Sequence, residues 1–335
     1  MMVTINDVAK EANVSASTVS RVLNNTGTIS QPTTNTVIRA VKKLGYEPNV
    51  LARNFRKKRT RTILILTPNM TNPFYSNIIS GICDLSRDMN YSSFVCNTTD
   101  ETQQIKKTLD MLYKHKADGA ILLASEKGQH WLSEYAEEFP IIQCCEYDPD
   151  LDISRVSIDN YHAAVETVRY LIALGHKKIG MISSVNKYLS TENRLKGYKD
   201  ALREAGLEST DRYVAFAGKD YNYQSGCRAA EKLLTQSDRP TALFCISDVL
   251  AIGAVNTAKI MGMCIPEDIS IVGFDDVEQT SMFTPKITTV AQPCYSLGQK
   301  ATELLCRKLE QNESIPLETI LPYRMIIRDS TGPRP

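Results

Sequence analysis

Apolar residues in the first 45 positions recur at the spacing of three short amphipathic helices. Thr4 can cap the first helix and Ser15 the second, while Pro32 and Gly45 mark the start and the end of the third. The residues predicted to share a small core are Ile5, Val8, Ala9, Ala12, Val19, Val22, Leu23, Val37, Ile38, Val41 and Leu44. Asn13 occupies the turn between the first two helices, where a left-handed backbone is needed. This pattern predicts a helix-turn-helix unit over residues 1–47.

From Thr62 onward the pattern changes to short apolar runs, each followed by an amphipathic stretch. Such alternation predicts parallel sheets that are covered by helices on both faces. The predicted strands are 62–66, 94–97, 120–123, 141–145, 179–182, 242–245 and 270–274, and the predicted helices include 74–89, 102–114, 163–174, 194–205 and 249–261. These strands are too many for one small sheet.

Charge separates the two parts of the chain. Residues 1–61 contain eleven Lys and Arg against three acids, a net charge of +8, whereas the remaining residues carry −7. A basic segment on an acidic body is typical of a polyanion-binding module joined to a domain with another task. A charge run can also be a solvated face, so charge alone leaves both interpretations open.

Short polar residues at the start of the second helix allow its backbone to approach the major groove of DNA closely. The residues of this unit that we expect to contact DNA are Thr4, Ser15, Ala16, Ser17, Thr18, Arg21, Asn24 and Tyr46. We therefore predict double-stranded DNA as a partner.

A second DNA element is predicted in residues 48–61, a basic hinge segment that contains a helix too short to be stable alone in water. We expect this helix to fold on DNA, with Phe55 as an apolar wedge between minor-groove base steps. Arg53, Arg56 and Lys57 would contact phosphates. The alternative is a flexible basic linker with an incidental phenylalanine.

Several motifs of this N-terminal part are shared with one family. Val-Ala-Lys-Glu-Ala-Asn-Val-Ser at 8–15, Thr-Val-Ser-Arg-Val-Leu-Asn at 18–24, Gly-Tyr-Glu-Pro-Asn at 45–49 and Leu-Ala-Arg-Asn-Phe at 51–55 resemble the DNA-binding head of LacI/GalR repressors. The resemblance continues to the C-terminus. Phe55 departs from it, because the family usually has leucine there, so operator preference cannot be carried over.

The resemblance implies an N-terminal all-α helix-turn-helix domain followed by a two-lobed α/β effector domain of the type I periplasmic-binding-protein kind. It places lobe 1 at about 62–160 and 292–322, and lobe 2 at about 161–291 and 323–335. Three chain crossings are then expected near Asn160, near Ala291 to Pro293 and near Leu321 to Tyr323. The effector cleft should lie where the carboxyl ends of both sheets meet.

The effector-binding residues follow from this placement and from the family. They are expected to be Phe74, Tyr75, Ser125, Glu146, Arg194, Tyr221, Ser247, Asp248, Asp275 and Gln292. In the family an arginine and the aspartate of a Gly-Phe-Asp motif clasp ligand hydroxyls, which the resemblance assigns to Arg194 and Asp275. Asp275 could instead be a turn cap, Arg194 a surface ion pair with Glu192 or Asp200, and the rings ordinary core.

Within the family the chain is similar to cytidine-responsive members. The similarity lies in residues 62–64, 72–75, 244–248, 288–293 and 327–331. It implies a repressor that responds to a nucleoside. The family acts as a homodimer, and we expect residues 76–89 to form part of the interface. A sugar or a free nucleobase remains the alternative effector.

Other function classes fit the sequence less well. Adjacent Asp275 and Asp276 at a strand end would point apart, and no phosphate-binding loop, nucleophile elbow or metal-ligand spacing occurs. We expect no catalysis, no cofactor and no metal. A transport solute-binding protein shares the body fold but requires export, and the first residues show no signal segment. We also expect no membrane span, a cytoplasmic location and nine reduced thiols.

Overall fold

A computed structural model describes residues 3–24, 26–46, 59–99, 101–219, 221–311 and 315–334 of the chain. It divides into two compact units, residues 1–60 and 61–335. Each unit is described by itself.

The first unit consists of three helices, α1 (Ile5–Glu11), α2 (Ala16–Asn24) and α3 (Gln31–Leu44). Its buried core is formed by Val8, Ala9, Ala12, Val19, Val37 and Ala40. Thr4 and Asp7 form a capping box at the start of α1, and Gly45 ends α3 in a left-handed conformation. Asn13 has a φ of 52° in the turn between α1 and α2. The predicted helix-turn-helix fold is confirmed.

One predicted core residue of this unit is wrong. Ile38 is 41% exposed, whereas Val37 and Ala40 are buried and Val41 and Leu44 are half-buried. Positions 37, 40, 41 and 44 follow the i, i+3, i+4, i+7 spacing of one helix face, and residue 38 lies beside that face.

The second unit contains two parallel sheets. The first sheet has the order β11-β5-β4-β3-β1-β2. Its strands are β1 (Thr62–Thr67), β2 (Ser92–Asn97), β3 (Gly119–Leu122), β4 (Ile141–Cys144), β5 (Arg155–Ile158) and β11 (Glu318–Leu321). Its helices are α4 (Pro73–Asp88), α5 (Thr102–Tyr113), α6 (Leu132–Glu138) and α11 (Cys294–Gln311). We refer to this part as lobe 1.

Lobe 2 is built on the second parallel sheet, of order β7-β6-β8-β9. Its strands are β6 (Ile179–Ser184), β7 (Val214–Ala217), β8 (Ala242–Cys245) and β9 (Ser270–Val272). Its helices are α7 (Asn160–Ala173), α8 (Leu189–Glu204), α9 (Tyr223–Leu234) and α10 (Asp248–Ile260). Every residue of β6 and β8 is buried, as expected for strands covered on both faces.

The chain passes between the lobes three times among the described residues. It leaves lobe 1 after β5, returns after β10 (Thr289–Ala291) and crosses again between β11 and β12 (Arg324–Ile326). β10 and β12 pair antiparallel, so two of the three crossing segments are hydrogen-bonded to each other.

Helices α4 and α11 pack at very short range in lobe 1. A Cβ added to Gly81 would lie 2.1 Å from the carbonyl oxygen of Tyr295, and one added to Gly298 would lie 2.1 Å from that of Ile78. The two glycines therefore allow the two helix backbones to touch. This pair of helices forms one side of the lobe next to the first sheet.

No helix of the described residues is long and apolar enough to cross a membrane. The nine cysteines carry free thiols.

Candidate functional sites

The start of α2 presents a polar surface in the first unit. Ser15 and Ser17 are exposed, Ala16 and Thr18 are half-buried, and Arg21 is exposed. The Ser15 hydroxyl accepts a hydrogen bond from the Thr18 backbone N–H at 3.1 Å and lies 2.7 Å from the Ser17 hydroxyl. Ser15 therefore acts as the N-cap of α2, and its neighbours are held at the helix start.

The other predicted DNA-contacting residues are spread over this unit and beyond it. Thr4 is exposed at the start of α1, and Tyr46 is half-buried after α3. Asn24 is the last residue of α2. Arg53, Phe55, Arg56 and Lys57 lie outside the described residues, as does the predicted hinge helix.

A cavity of about 490 Å³ lies between lobe 1 and lobe 2. Its volume is within the range of small-molecule sites, and its lining residues follow the carboxyl ends of strands in both sheets. Seven of the ten predicted effector-binding residues line it: Phe74, Tyr75, Glu146, Arg194, Tyr221, Asp275 and Gln292.

Four aromatic rings line the cavity. Phe74 and Tyr75 lie in the first turn of α4, which Asn72 caps, and their ring centroids lie 5.1 Å apart in an edge-to-face arrangement. Tyr188 and Tyr221 come from lobe 2. The hydroxyl of Tyr221 lies 3.3 Å from that of Thr191, and burial raises the pKa of this phenol. Rings from both lobes thus face one space.

Arg194 is buried in α8 and is held by its own lobe and by the first crossing. Its guanidinium donates to Asn160 Oδ1 from Nε at 3.0 Å and from Nη2 at 2.7 Å, and to the Ile246 carbonyl from Nη1 at 2.6 Å. Its Cζ lies 3.6 Å from the centroid of the Phe274 ring. A guanidinium has five N–H donors, so these bonds orient the fork and leave donors for a ligand.

Asp275 is a buried carboxylate that lines the same cavity and directly follows Phe274, the residue on whose ring Arg194 stacks. Its Oδ1 accepts a hydrogen bond from Gln292 Nε2 at 2.8 Å. Burial raises the pKa of Asp275 well above its ordinary value, and the positive charge of Arg194 opposes that rise. The pair provides an acceptor and a planar donor in one cavity.

Glu146 connects the two lobes across the cavity. It follows β4 in lobe 1, and its carboxylate accepts hydrogen bonds from the backbone N–H of Ser190 in α8, at 3.3 Å, and from the Ser190 hydroxyl. Nearby, Lys127 of lobe 1 and Glu192 of lobe 2 form an exposed ion pair of 2.8 Å. The carboxylate of Glu146 therefore serves the contact between the lobes as well as the cavity wall.

Three predicted effector-binding residues do not line the cavity among the described residues. Ser247 caps α10 by accepting from the Leu250 N–H, and the buried Asp248 bonds to Val277 and Thr289. The Ser125 hydroxyl is buried in lobe 1 with no hydrogen-bond partner in the described chain. These residues follow strand ends, but their side chains are buried away from the cavity.

The sequence prediction also missed cavity residues. They are Pro68, Asn69, Asn72, Asn97, Thr99, Glu101, Glu126, Cys145, Asn160, Asn186, Tyr188 and Lys219. Asn160 is the most informative of these, because it marks the first crossing and also accepts from Arg194. The available signal was a set of asparagines after strands β1 and β6 and at the end of β2.

Comparison with known protein families gives two matches. Residues 4–49 match the model described as "Bacterial regulatory proteins, lacI family". Residues 60–329 match the model described as "Periplasmic binding proteins and sugar binding domain of LacI family".

Individual relatives match over almost the full length. The HTH-type transcriptional repressor CytR of Escherichia coli (strain K12) is 36% identical over 99% of this chain and 97% of its own length. Catabolite control protein A of Priestia megaterium is 33% identical over 99% of this chain and all of its own length. A crystal structure of the lac repressor dimer bound to operator and the anti-inducer ONPF superposes with a TM-score of 0.90 at 25% identity, over 99% of this chain and 100% of that one.

Proposed function

The chain belongs to the LacI family and is a transcriptional repressor, and we propose that the small molecule controlling it is a nucleoside, with cytidine as the first candidate. The observation that carries this proposal is that one cavity combines aromatic ring faces with Arg194 and Asp275, a pair that can bond to two neighbouring hydroxyls. Phe74, Tyr75, Tyr188 and Tyr221 supply flat surfaces for a planar base. Arg194 and Asp275 supply the donor fork and the acceptor for two neighbouring ribose hydroxyls.

A sugar would bond to Arg194 and Asp275 but would present a puckered, more polar ring to the aromatic faces. A free nucleobase would use the ring faces and leave the buried Asp275 carboxylate without hydroxyl donors from the ligand. A nucleoside uses both halves of the site, which is why we favour it over these two alternatives.

DNA binding is proposed to occur through α2, with Ser15, Ala16, Ser17, Thr18 and Arg21 as its major-groove face. Thr4, Asn24 and Tyr46, together with Arg53, Phe55, Arg56 and Lys57 of the hinge segment, complete the proposed DNA-contacting residues. The basic charge of residues 1–61 makes this binding dependent on salt concentration.

The repressor is proposed to act as a homodimer on a palindromic operator, since two heads are needed for two half-sites. Residues 76–89, most of them in α4, remain our proposal for part of the interface. The adjacent edge strand β2 exposes Phe94, an apolar side chain that a second copy would cover.

Control is proposed to be a population shift between two lobe arrangements. Glu146 bonds to Ser190 across the cavity, and Arg194 bonds to Asn160 at the first crossing, so a ligand between the lobes changes the energy of both contacts. Only a ligand with different affinities for the two arrangements can change DNA binding.

The test begins with selection of a duplex from a random pool by the full chain at about 0.15 M salt. Cytidine, uridine, adenosine, cytosine and ribose are then titrated into the full chain by calorimetry and into its duplex complex by fluorescence anisotropy. We expect a nucleoside to bind at least tenfold more tightly than cytosine or ribose and to change duplex affinity. Tighter binding of ribose or cytosine would replace the nucleoside by that class, and failure to select any duplex would contradict DNA binding.

A further inference from the structure

Asp248 is a fully buried carboxylate that lies at the start of α10 and outside the cavity. It accepts a hydrogen bond from the backbone N–H of Val277 at 2.9 Å and from the hydroxyl of Thr289 at 2.6 Å. Neither partner belongs to α10. The carboxylate therefore joins α10, the loop after β9 and the crossing strand β10.

The loop after β9 needs such support. Asp275 has a φ of 122° and Asp276 a φ of 58°, in a region of backbone conformation that side-chain-bearing residues rarely adopt. These two residues lie between Phe274, whose carbonyl accepts from the Asp248 N–H at 2.7 Å, and Val277, whose N–H donates to the Asp248 carboxylate. Asp248 is thus hydrogen-bonded to the loop on both sides of the two residues with positive φ.

Gly273 leaves room for the Asp248 carboxylate to make these bonds. A Cβ added to Gly273 would lie 2.1 Å from Asp248 Oδ1, so the absence of a side chain at residue 273 allows the carboxylate to reach Val277 and Thr289. The far side of the loop is held by Arg328, whose Nη2 lies 2.6 Å from Asp276 Oδ1.

Thr289 extends the connection to the boundary between the lobes. It begins β10, the strand that leads directly to Gln292, and Gln292 donates to the cavity-facing Asp275. The Asp275 N–H also donates to Val290 of the same strand at 2.8 Å. The carboxyl of Asp275 is therefore fixed relative to a crossing segment rather than to lobe 2 alone.

We propose that Asp248, through its bonds to Thr289 and Val277, is the positioning residue that aims Asp275 at the effector and ties it to the crossing strand. This inference rests on the proposed role of Asp275 in effector binding. A carboxylate that only favoured the N-terminus of α10 would bond within that helix, whereas both of these bonds leave it.

The test compares Thr289→Val, which removes the donor to Asp248, with Thr289→Ser, which keeps it. Thr167→Val is the matched control: Thr167 is equally buried in lobe 2, and within the described part of the chain its hydroxyl bonds only to the Ala163 carbonyl of α7. Amide hydrogen exchange of the full chain is followed in a peptide spanning residues 274–278, and cytidine affinity is measured by calorimetry on the same samples.

We expect Thr289→Val to accelerate exchange of the Val277 amide at least tenfold and to weaken cytidine binding at least fivefold. Thr289→Ser should restore both values to within twofold, and Thr167→Val should leave both unchanged while lowering the melting temperature. Should Thr289→Val not fold, Asp248→Asn provides a milder change, because its amide can still donate to Thr289 and accept from Val277. In Asp248→Asn the Val277 amide should exchange at the wild-type rate, whereas in Asp248→Ala it should exchange faster.

The two proposals can fail separately. Unchanged exchange at residues 274–278 in Thr289→Val and Asp248→Ala would overturn the positioning role, whatever Asp275→Asn does to cytidine binding. Accelerated exchange together with unaltered cytidine binding in Asp275→Asn, or with no cytidine binding by the wild type, would refute the effector assignment and leave Asp248 as the residue that positions this loop.

Discussion

The guanidinium carbon of Arg194 lies 3.6 Å from the centre of the Phe274 ring, and Phe274 immediately precedes Asp275. A cation that stacks on this ring is held beside the carboxylate that shares its cavity. The stack and the Asn160 and Ile246 bonds restrict the fork to one orientation, so the arginine would have little conformational entropy to lose on binding a ligand.

The first prediction concerns that orientation. Arg194→Lys keeps the charge and loses the planar fork, so we expect effector affinity to fall at least tenfold while affinity for the selected duplex stays within about threefold. Calorimetry and anisotropy on one preparation make the comparison. Arg203→Lys is the control, because Arg203 is an exposed residue of the same helix. Parallel loss of duplex and effector binding in Arg194→Lys would indicate a folding defect instead.

The second prediction is a pH dependence of stability. Burial raises the pKa of Asp248 to about 6, whereas its ordinary value is near 3.8. Below about pH 4 the carboxyl is protonated in both states and its full contribution to stability is present. Between about pH 4 and pH 6 the unfolded chain is ionised while the folded chain keeps its proton, so stability falls, and the loss is complete above about pH 6.

Asp248→Asn cannot ionise, so its melting temperature relative to the wild type should increase between pH 4.5 and pH 7.5. Differential scanning calorimetry at four pH values measures that difference. Asp211→Asn, at an exposed position, should show no comparable trend. A constant difference for Asp248→Asn across the range would mean that the Asp248 carboxyl does not titrate as described.

The third prediction tests the contact between α4 and α11. Gly81→Ala places a methyl group against the Tyr295 carbonyl and should destabilise the protein by about 1–3 kcal/mol, as overpacked cores commonly do. Gly218→Ala is the control, since none of the residues that the structure describes has an atom within 4 Å of its added Cβ. Urea unfolding followed by fluorescence compares the two. Equal midpoints would show that the helices separate at no cost.

The fourth prediction concerns the hinge segment. Phe55→Ala should weaken binding to the selected duplex at least tenfold and to a scrambled duplex by less than threefold, because an inserted side chain acts only where a base step opens. Phe55→Leu retains an apolar wedge and should lose less. An equal loss on both duplexes for Phe55→Ala would leave Phe55 without a role as a wedge.

Much of the cavity could be predicted because parallel sheets bring the carboxyl ends of their strands to one edge. Glu146 and Asp275 follow buried strands in the sequence, and both line the cavity. The family resemblance supplied Arg194, which lies inside a helix and has no strand-end signal of its own.

The residues that were missed or misplaced could not be predicted because a position after a strand does not determine the direction in which its side chain points. Ser247 and Asp248 follow β8 just as Glu146 follows β4, yet the turn into α10 points one side chain at the helix N-terminus and the other at Thr289. Asn160 was expected only as a crossing, because its bond to Arg194 joins residues 34 positions apart. Tertiary contacts of this kind leave no periodic trace in a sequence.

The pairing of β10 with β12 limits how lobe 1 and lobe 2 can move relative to each other. A single flexible crossing segment would let the two lobes twist, slide and tilt. Two crossing segments that are hydrogen-bonded to each other resist twisting and sliding. The first crossing, which leads from β5 to Asn160, adds a further connection, and Asn160 also bonds to Arg194. We therefore expect the lobes to move mainly by opening and closing about the line of these three segments, and a ligand in the cavity would change chiefly one interlobe angle.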